Sequence, residues 1–328
     1  MRYRTIGDGR VSLTVSDICL GIMYFGYRTD ERTAFDIMDR FVAAGGTFVD
    51  TANNYGQWHG DAGESERVLG RWLASRAEAD NVVVATKVGA RTLKPGDPSP
   101  EFWQGLGREH IRTDAETSRR NLGRDRLDLY YAHIDDRDTP QEETVDAMAD
   151  LAESGAVGLL GCSNTALWRI ERARGIARAA GRPAYSCVQQ RHSYLLPLPG
   201  PSQRPRRPGH YYLITEELID YAEADNLTLL AYSPLLGGVY PRGDRPYGEY
   251  AHAANDERLA VLAEVARELN ATTSQVVLAW LLASRPSIIP IIGASSVAQL
   301  DELLGALDVT LDDATMARLD GAGRRRPE

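Results

Sequence analysis

Residues Thr47–Gly56 read TFVDTANNYG. A short apolar run, Thr47-Phe48-Val49, ends in the acid Asp50, and a phenol, Tyr55, follows five residues later. An acid at the mouth of a strand, with a tyrosine on the loop just after it, is how barrel enzymes arrange reactive side chains. Two later apolar runs end in the same manner. Lys87 follows Asn81-Val82-Val83-Val84-Ala85-Thr86, and His133 follows Leu127-Asp128-Leu129-Tyr130-Tyr131-Ala132.

Working outward from this stretch, one unit recurs. Strand-like runs are expected at Asp17–Gly21, Thr47–Asp50, Asn81–Thr86, Leu127–Tyr131, Val157–Gly161, Tyr185–Gln189, Thr228–Ala231 and Ser287–Ile292. Each precedes a helical pattern, at 33–44, 65–74, 110–121, 141–153, 166–180, 215–224, 256–269 with 273–283, and 297–307. The double helix splits at Asn270. Most of the strands are continuous apolar runs, the pattern of a parallel sheet covered on its outer face. Eight such units without a composition break favour a closed (β/α)8 barrel of the TIM type over an open sheet. Such a barrel needs about 250 residues plus insertions, and the chain has 328. It is read as one α/β domain over residues 1–328. Gly7-Asp8-Gly9 marks an N-terminal β-hairpin that would lid one end. Long segments at 89–107, 195–212 and 236–255 all follow strands, on the C-terminal face where barrel enzymes carry specificity loops.

The four side chains make chemical sense together. Hydride transfer to a carbonyl leaves an alkoxide that needs a proton. Tyr55 can donate it if its pKa falls from about 10. The Lys87 ammonium would lower that pKa, with Asp50 as its counter-ion. His133 would hold the carbonyl oxygen. Asp50, Tyr55, Lys87 and His133, each at a strand end, resemble the catalytic set of the aldo-keto reductases, and the chain resembles that family as far as about Leu307.

The resemblance implies an NAD(P)H-dependent enzyme reducing an aldehyde or ketone, sugar-like carbonyls included. It also implies cofactor contacts. Gly21, at the end of the first strand, and Met23, just after it, are among them. Ser163 and Asn164 would hold the nicotinamide carboxamide together with Gln189 or Gln190, Gln189 being favoured. Tyr232 would stack on the nicotinamide, and Ser233, Leu235 and Gly237 lie where the family wraps the pyrophosphate. Gly293, Ser295, Ser296, Gln299 and Glu302 would meet the adenosine end, where a helix N-terminus suits a phosphate. Many relatives carry Lys or Arg in this run and an Asn after the Glu. Here there is no cation, and Leu303 replaces the Asn. NADPH is the expected cofactor, with NADH as the alternative. Tyr24, Phe25 and Trp58 are candidates for the substrate pocket. The cluster Arg204, Arg206 and Arg207 reads either as an anion contact at the rim or as a solvated loop tip. Two rival functions remain: a cofactor-sensing binding protein on the same scaffold, and a Schiff-base aldolase using Lys87.

Composition narrows the partners. The net charge of −9 and the lack of long basic blocks do not suggest nucleic acid or an anionic membrane. Three widely spaced cysteines, Cys19, Cys162 and Cys187, fit neither a disulfide framework nor a zinc pattern. The six histidines show no metal-ligand spacing, so no metal is expected. No Gly-x-Gly-x-x-Gly, Walker or His-Glu-x-x-His motif is present. With no apolar segment of signal or membrane length, the expected compartment is the cytoplasm.

Overall fold

The expected apolar runs pair as parallel strands. A computed structural model describes residues 1–199, 211–242 and 248–324. Strands β3 (Cys19–Gly21), β4 (Phe48–Asp50), β5 (Val83–Val88), β6 (Leu127–Ala132), β7 (Val157–Ser163), β8 (Tyr185–Arg191), β9 (Thr228–Tyr232) and β10 (Ile289–Ile292) close into a barrel, β10 pairing with β3. Around it lie α1 (Glu31–Ala43), α2 (Glu64–Ser75), α3 (Arg108–Leu122), α4 (Gln141–Glu153), α5 (Leu167–Ala179) and α6 (Glu216–Ala224). They are followed by α7 (Val239–Arg242), α8 (Ala253–Glu268), α9 (Thr273–Ala283), α10 (Val297–Leu304) and α11 (Asp313–Gly321). The chain is a (β/α)8 barrel, as its sequence pattern predicts. Asn270 ends α8 in the left-handed conformation, at φ 50°, which separates α8 from α9.

Alternation along the strands divides the apolar residues into two cores. Outward-facing side chains meet the helices: Leu20, Val49, Val84, Tyr130, Leu160 and Val188 pack there with Ile37, Trp72 and Leu278. Inward-facing Cys19, Phe48, Ala85, Leu129, Leu159, Cys187, Leu230 and Ile289 fill the barrel. The hairpin of β1 (Tyr3–Gly7) and β2 (Ser12–Ser16) supplies Ile6 and Val15 to this inner cluster. It therefore plugs the N-terminal end, where Arg4 also donates to the carbonyl of Ser287 at 3.0 Å. One further step along the same inward faces comes the polar layer: Asp50 after Phe48, Lys87 after Ala85, Gln189 after Cys187 and Tyr232 after Leu230. Gly161 has no side chain here because the Tyr131 ring occupies its space; a Cβ would meet that ring at 2.4 Å.

Several boundaries differ from the expected ones. Asn81 ends a short 3-10 turn, Ala77–Asn81, instead of opening a strand, because Val82 N–H turns back to the Ala79 carbonyl. The strand begins at Val83 and extends to Val88, so Lys87 lies inside it. Asp17 is spent on the hairpin, where its carboxylate binds Arg4 at 2.7 Å. Helix α10 ends at Leu304 in a 3-10 turn, Gly305–Asp308. Helix α11 was not expected at all. Its start is set by Asp312, whose carboxylate accepts from Thr315 N–H at 2.8 Å. Among the described residues no helix is long and apolar enough to cross a membrane. Arg204, Arg206 and Arg207 lie outside the described residues.

Candidate active site

Lys87 is fully buried, and each of its three ammonium hydrogens has a partner. Nζ donates to Asp50 Oδ2 at 2.6 Å, to the Thr51 carbonyl at 2.7 Å and to Tyr55 Oη at 3.1 Å. The other Asp50 oxygen accepts from Gln189 Nε2 at 2.8 Å, across the barrel. Thr51 is fixed in turn: its hydroxyl bonds Ser65 Oγ at 2.8 Å, and Ser65 Oγ donates to the Ile22 carbonyl at 2.8 Å. Tyr55 is held by its backbone. Its carbonyl accepts the N–H groups of Gly63 and Glu64 at the start of α2, at 3.0 and 3.1 Å, and so satisfies donors that a helix N-terminus leaves open. The His133 ring stands edge-on to Tyr55, centroids 6.0 Å apart at 77°. Its Nδ1 is buried without a hydrogen-bond partner. The structure thus brings Asp50, Tyr55, Lys87 and His133 to one place.

The electrostatics correct one expectation. Part of Tyr55 is open to the mouth, but the dense surroundings strip water from its hydroxyl. This desolvation pushes its pKa up, and the opposing pull of Lys87 does not overcome it. The phenol is protonated at neutral pH. Burial also acts against the Lys87 ammonium, but Asp50 and Tyr55 together outweigh it and raise its pKa. Burial first, then Lys87, hold His133 well below the usual histidine range, so its imidazole is neutral.

Two more strand ends face the same mouth. Asn164 follows β7 at φ 50°, and its amide nitrogen donates to Ser163 Oγ and to the His133 carbonyl, both at 3.1 Å. Tyr232 Oη donates to Asn164 Oδ1 at 2.7 Å. Ser233 and Leu236 also have positive φ, 51° and 49°, and Gly237 follows at 66°. Left-handed non-glycine backbone is costly and collects at functional sites. Asn164, Ser233 and Leu236 lie in the loops after β7 and β9; the other two described, Asn226 and Asn270, follow α6 and α8. The alternation of β8 separates the two glutamines: Gln189 reaches Asp50, whereas Gln190 Nε2 donates outward to the Thr165 carbonyl at 2.7 Å. Gly21 ends β3 with Ile291 against it, a Cβ there meeting the Ile291 side chain at 2.7 Å, and Met23 lies half-buried just beyond.

At the β10 end the side chains engage one another. Ser295 donates through N–H and Oγ to Gln299 Oε1, at 2.8 and 3.0 Å. Ser296 caps α10 by accepting from Gln299 N–H at 3.2 Å. Glu302 accepts from the Thr272 hydroxyl on the cap of α9. Gly293, just after β10, is exposed, and Leu235, in the loop after β9, is half-buried.

The pocket candidates divide. Trp58 is exposed, with its ring 6.3 Å from that of Tyr55. Tyr24 is exposed, edge-on to Tyr27 at 5.7 Å. Phe25 is not at the mouth. A tight turn, Phe25 N–H to the Ile22 carbonyl at 3.1 Å, rotates its ring into the outer core, where it is 2% exposed. A cavity of about 530 Å³ lies at the opposite, hairpin end, lined by Arg10, Arg174, Arg178 and Arg182. Arg174 and Arg178 there are already bound to Asp225, and Arg182 to Asp150. Two contacts of the site carry no sequence signal: the Thr51 carbonyl on Lys87, and Gln189 on Asp50.

Comparison with known proteins gives the family. Residues 17–324 match the model of the Aldo/keto reductase family. The chain belongs to that family. It is 34% identical to a Bacillus subtilis (strain 168) protein named uncharacterized oxidoreductase YrpG, covering 98% of this chain and 97% of the relative. It is 34% identical to the Mycobacterium bovis uncharacterized oxidoreductase Mb2320, over 94% of this chain and 90% of the relative. The norsolorinic acid reductase stcV of Emericella nidulans is 29% identical, with 97% of this chain and 81% of that protein covered.

Proposed function

We propose that this protein reduces an aldehyde or ketone to an alcohol with NADPH or NADH, Tyr55 acting as the proton donor. The observation that carries the reading is Tyr55: half-buried at the mouth, its phenol neutral and hydrogen-bonded by an ammonium that Asp50 and Thr51 hold in place. A neutral phenol can give a proton, and the buried ammonium stabilises the phenolate left behind. His133, kept neutral, offers a donor to the carbonyl oxygen and orients it.

A nicotinamide dinucleotide, when bound, supplies the hydride. The residues present fit it. Ser163, Asn164 and Gln189 offer amide and hydroxyl groups beside the tetrad, and Tyr232 is tied to Asn164. The loop Ser233–Gly237, left-handed at Ser233, Leu236 and Gly237 and carrying Leu235 between them, and the first turn of α10 offer backbone N–H groups for phosphates. Gly21, Met23, Gly293, Ser295, Ser296, Gln299 and Glu302 complete this candidate set. The Schiff-base alternative is disfavoured by Lys87, which has no exposed surface and no free hydrogen. Such a lysine must be neutral and reachable.

The test is a fluorescence titration with NADPH and NADH, followed by turnover of a panel of aldehydes and keto-sugars. Binding of either dinucleotide and its oxidation on adding a carbonyl is the expected result. If neither binds, the reductase reading falls.

A further inference from the structure

A second cation stands in the barrel mouth. Arg191 ends β8, two positions beyond Gln189. Strand alternation puts both on one face. Gln189 reaches Asp50 across the barrel, so Arg191 stands one layer nearer the opening. Its backbone is clamped on both sides. Arg191 pairs with Tyr232 of β9, its N–H donates to the Tyr212 carbonyl at 3.1 Å, and its carbonyl accepts from Ile214 N–H at 3.1 Å. The guanidinium lies 4.6 Å from the Tyr211 ring centre and 5.6 Å from that of Tyr250. Its β9 neighbour Tyr232 reaches Asn164 Oδ1 at 2.7 Å, which puts this cation beside the same mouth as the tetrad.

Among the described residues no carboxylate pairs with Arg191; its neighbours are tyrosines, Tyr250 interacting by a side-chain hydrogen bond, and its Nε is buried without a partner. Other enclosed arginines have oxygen partners for their charge: Arg174, whose Nε is also unpartnered, binds the Asp225 carboxylate, and Arg258 donates to the carbonyls of Tyr194 and Ala322. The acid at this corner, Glu249, accepts instead from Tyr211 Oη at 3.1 Å. A rigidly held, partly desolvated guanidinium with aromatic walls has donors in a planar fork that match an oxyanion. Low local dielectric strengthens that attraction.

We propose that Arg191 is a specificity residue that binds an oxyanion on the carbonyl substrate, so that the substrates are aldehydes or ketones bearing a carboxylate or phosphate. This rests on the reductase reading. The same chemistry could come from the diphosphate of the dinucleotide, and the experiment separates the two sources.

Wild type, Arg191→Gln and Arg191→Lys are assayed with para-carboxybenzaldehyde and with its uncharged methyl ester. The readout is the ratio of the two kcat/KM values, with dinucleotide affinity measured in parallel. Arg191→Gln is expected to lower the ratio at least about tenfold, the worth of one charge-assisted contact. Arg191→Lys should restore part of it. An unchanged ratio overturns the proposal. So does an unchanged ratio with weakened dinucleotide binding, which would assign Arg191 to the diphosphate. If wild type turns over neither aldehyde, the reductase reading is decided by its own dinucleotide titration and wider carbonyl panel. The subsite is then judged by tryptophan-quenching titration with para-carboxybenzyl alcohol and its methyl ester. Selective loss of the acid in Arg191→Gln sustains it, and equal binding overturns it.

Discussion

Lys87 Nζ donates to Tyr55 Oη across 3.1 Å, from a position where Asp50 and the Thr51 carbonyl take its other two hydrogens. The ammonium has no freedom to swing elsewhere. Its third hydrogen is directed at one phenol. If that phenol is the proton donor, Tyr55→Phe removes general acid catalysis and little else. Turnover should fall by a factor of about a hundred to ten thousand. Dinucleotide affinity, read by fluorescence titration, should hold. Retained turnover would refute the assignment.

The same pair sets a pH profile. Tyr55 has its pKa raised above 10, so it remains a competent acid throughout the neutral range. His133 has its pKa lowered well below 6.5, so it stays neutral there. Neither group titrates between about pH 6.5 and 9, and kcat/KM for reduction should be flat across that window. A fall centred near pH 7 to 8 would mean that Lys87 overcomes desolvation and the phenol ionises early.

The ion pair has a structural side. Lys87→Met leaves the Asp50 carboxylate buried without its cation, which should cost about 3–5 kcal/mol. Gln189 alone still bonds it. The double variant Asp50→Asn with Lys87→Met removes the uncompensated charge and should be more stable than Lys87→Met by at least about 1 kcal/mol. Urea unfolding midpoints at constant slope decide this. Additive losses would show that the two groups are not coupled.

The barrel and the tetrad were legible in the sequence for one reason. Parallel strands covered on both faces leave uninterrupted apolar runs, and polar residues at their ends then stand out. Asp50, Lys87 and His133 were visible in that way. What depends on distant contact was not. Gln189 and Asp50 meet across 139 positions, and the Thr51 carbonyl acts through a backbone atom that every residue has. Phe25 reads like Tyr24 until the turn at Ile22 rotates it inward. The direction of the Tyr55 shift follows from how much water the fold removes, which no local pattern records. Arg191 looks like any charged residue after a strand until the tyrosines from two loops close around it.

His192 gives an acid limit to stability. It is buried, stacked on Trp280 with centroids 5.5 Å apart. Burial and then the charge of Arg258 lower its pKa to about 4. A depressed folded pKa stabilises the fold above the unfolded value near 6.5 and loses that contribution as pH falls through about 4. Relative to His192→Phe, which keeps the stack without a titrating group, wild type should lose about 3 kcal/mol between pH 7 and 4. Urea titrations of both proteins at each pH measure it. Parallel curves would mean that His192 has the same pKa folded and unfolded.

Cofactor selectivity follows from the start of α10. A 2′-phosphate there would meet the helix N-terminus, and Ser296 already caps it. Ser295 has spent both its N–H and its hydroxyl on Gln299. Glu302 is held by Thr272, and no cation lies between Gly293 and Glu302. The helix end alone contributes a few tenths to about 1 kcal/mol toward a phosphate. The NADPH to NADH affinity ratio should therefore be below about tenfold. Ser295→Arg adds a guanidinium at the same spot while leaving the Ser296 cap in place, and it should raise the ratio by about tenfold or more. If wild type already prefers NADPH by more than a hundredfold, the phosphate must be bound elsewhere than this helix end.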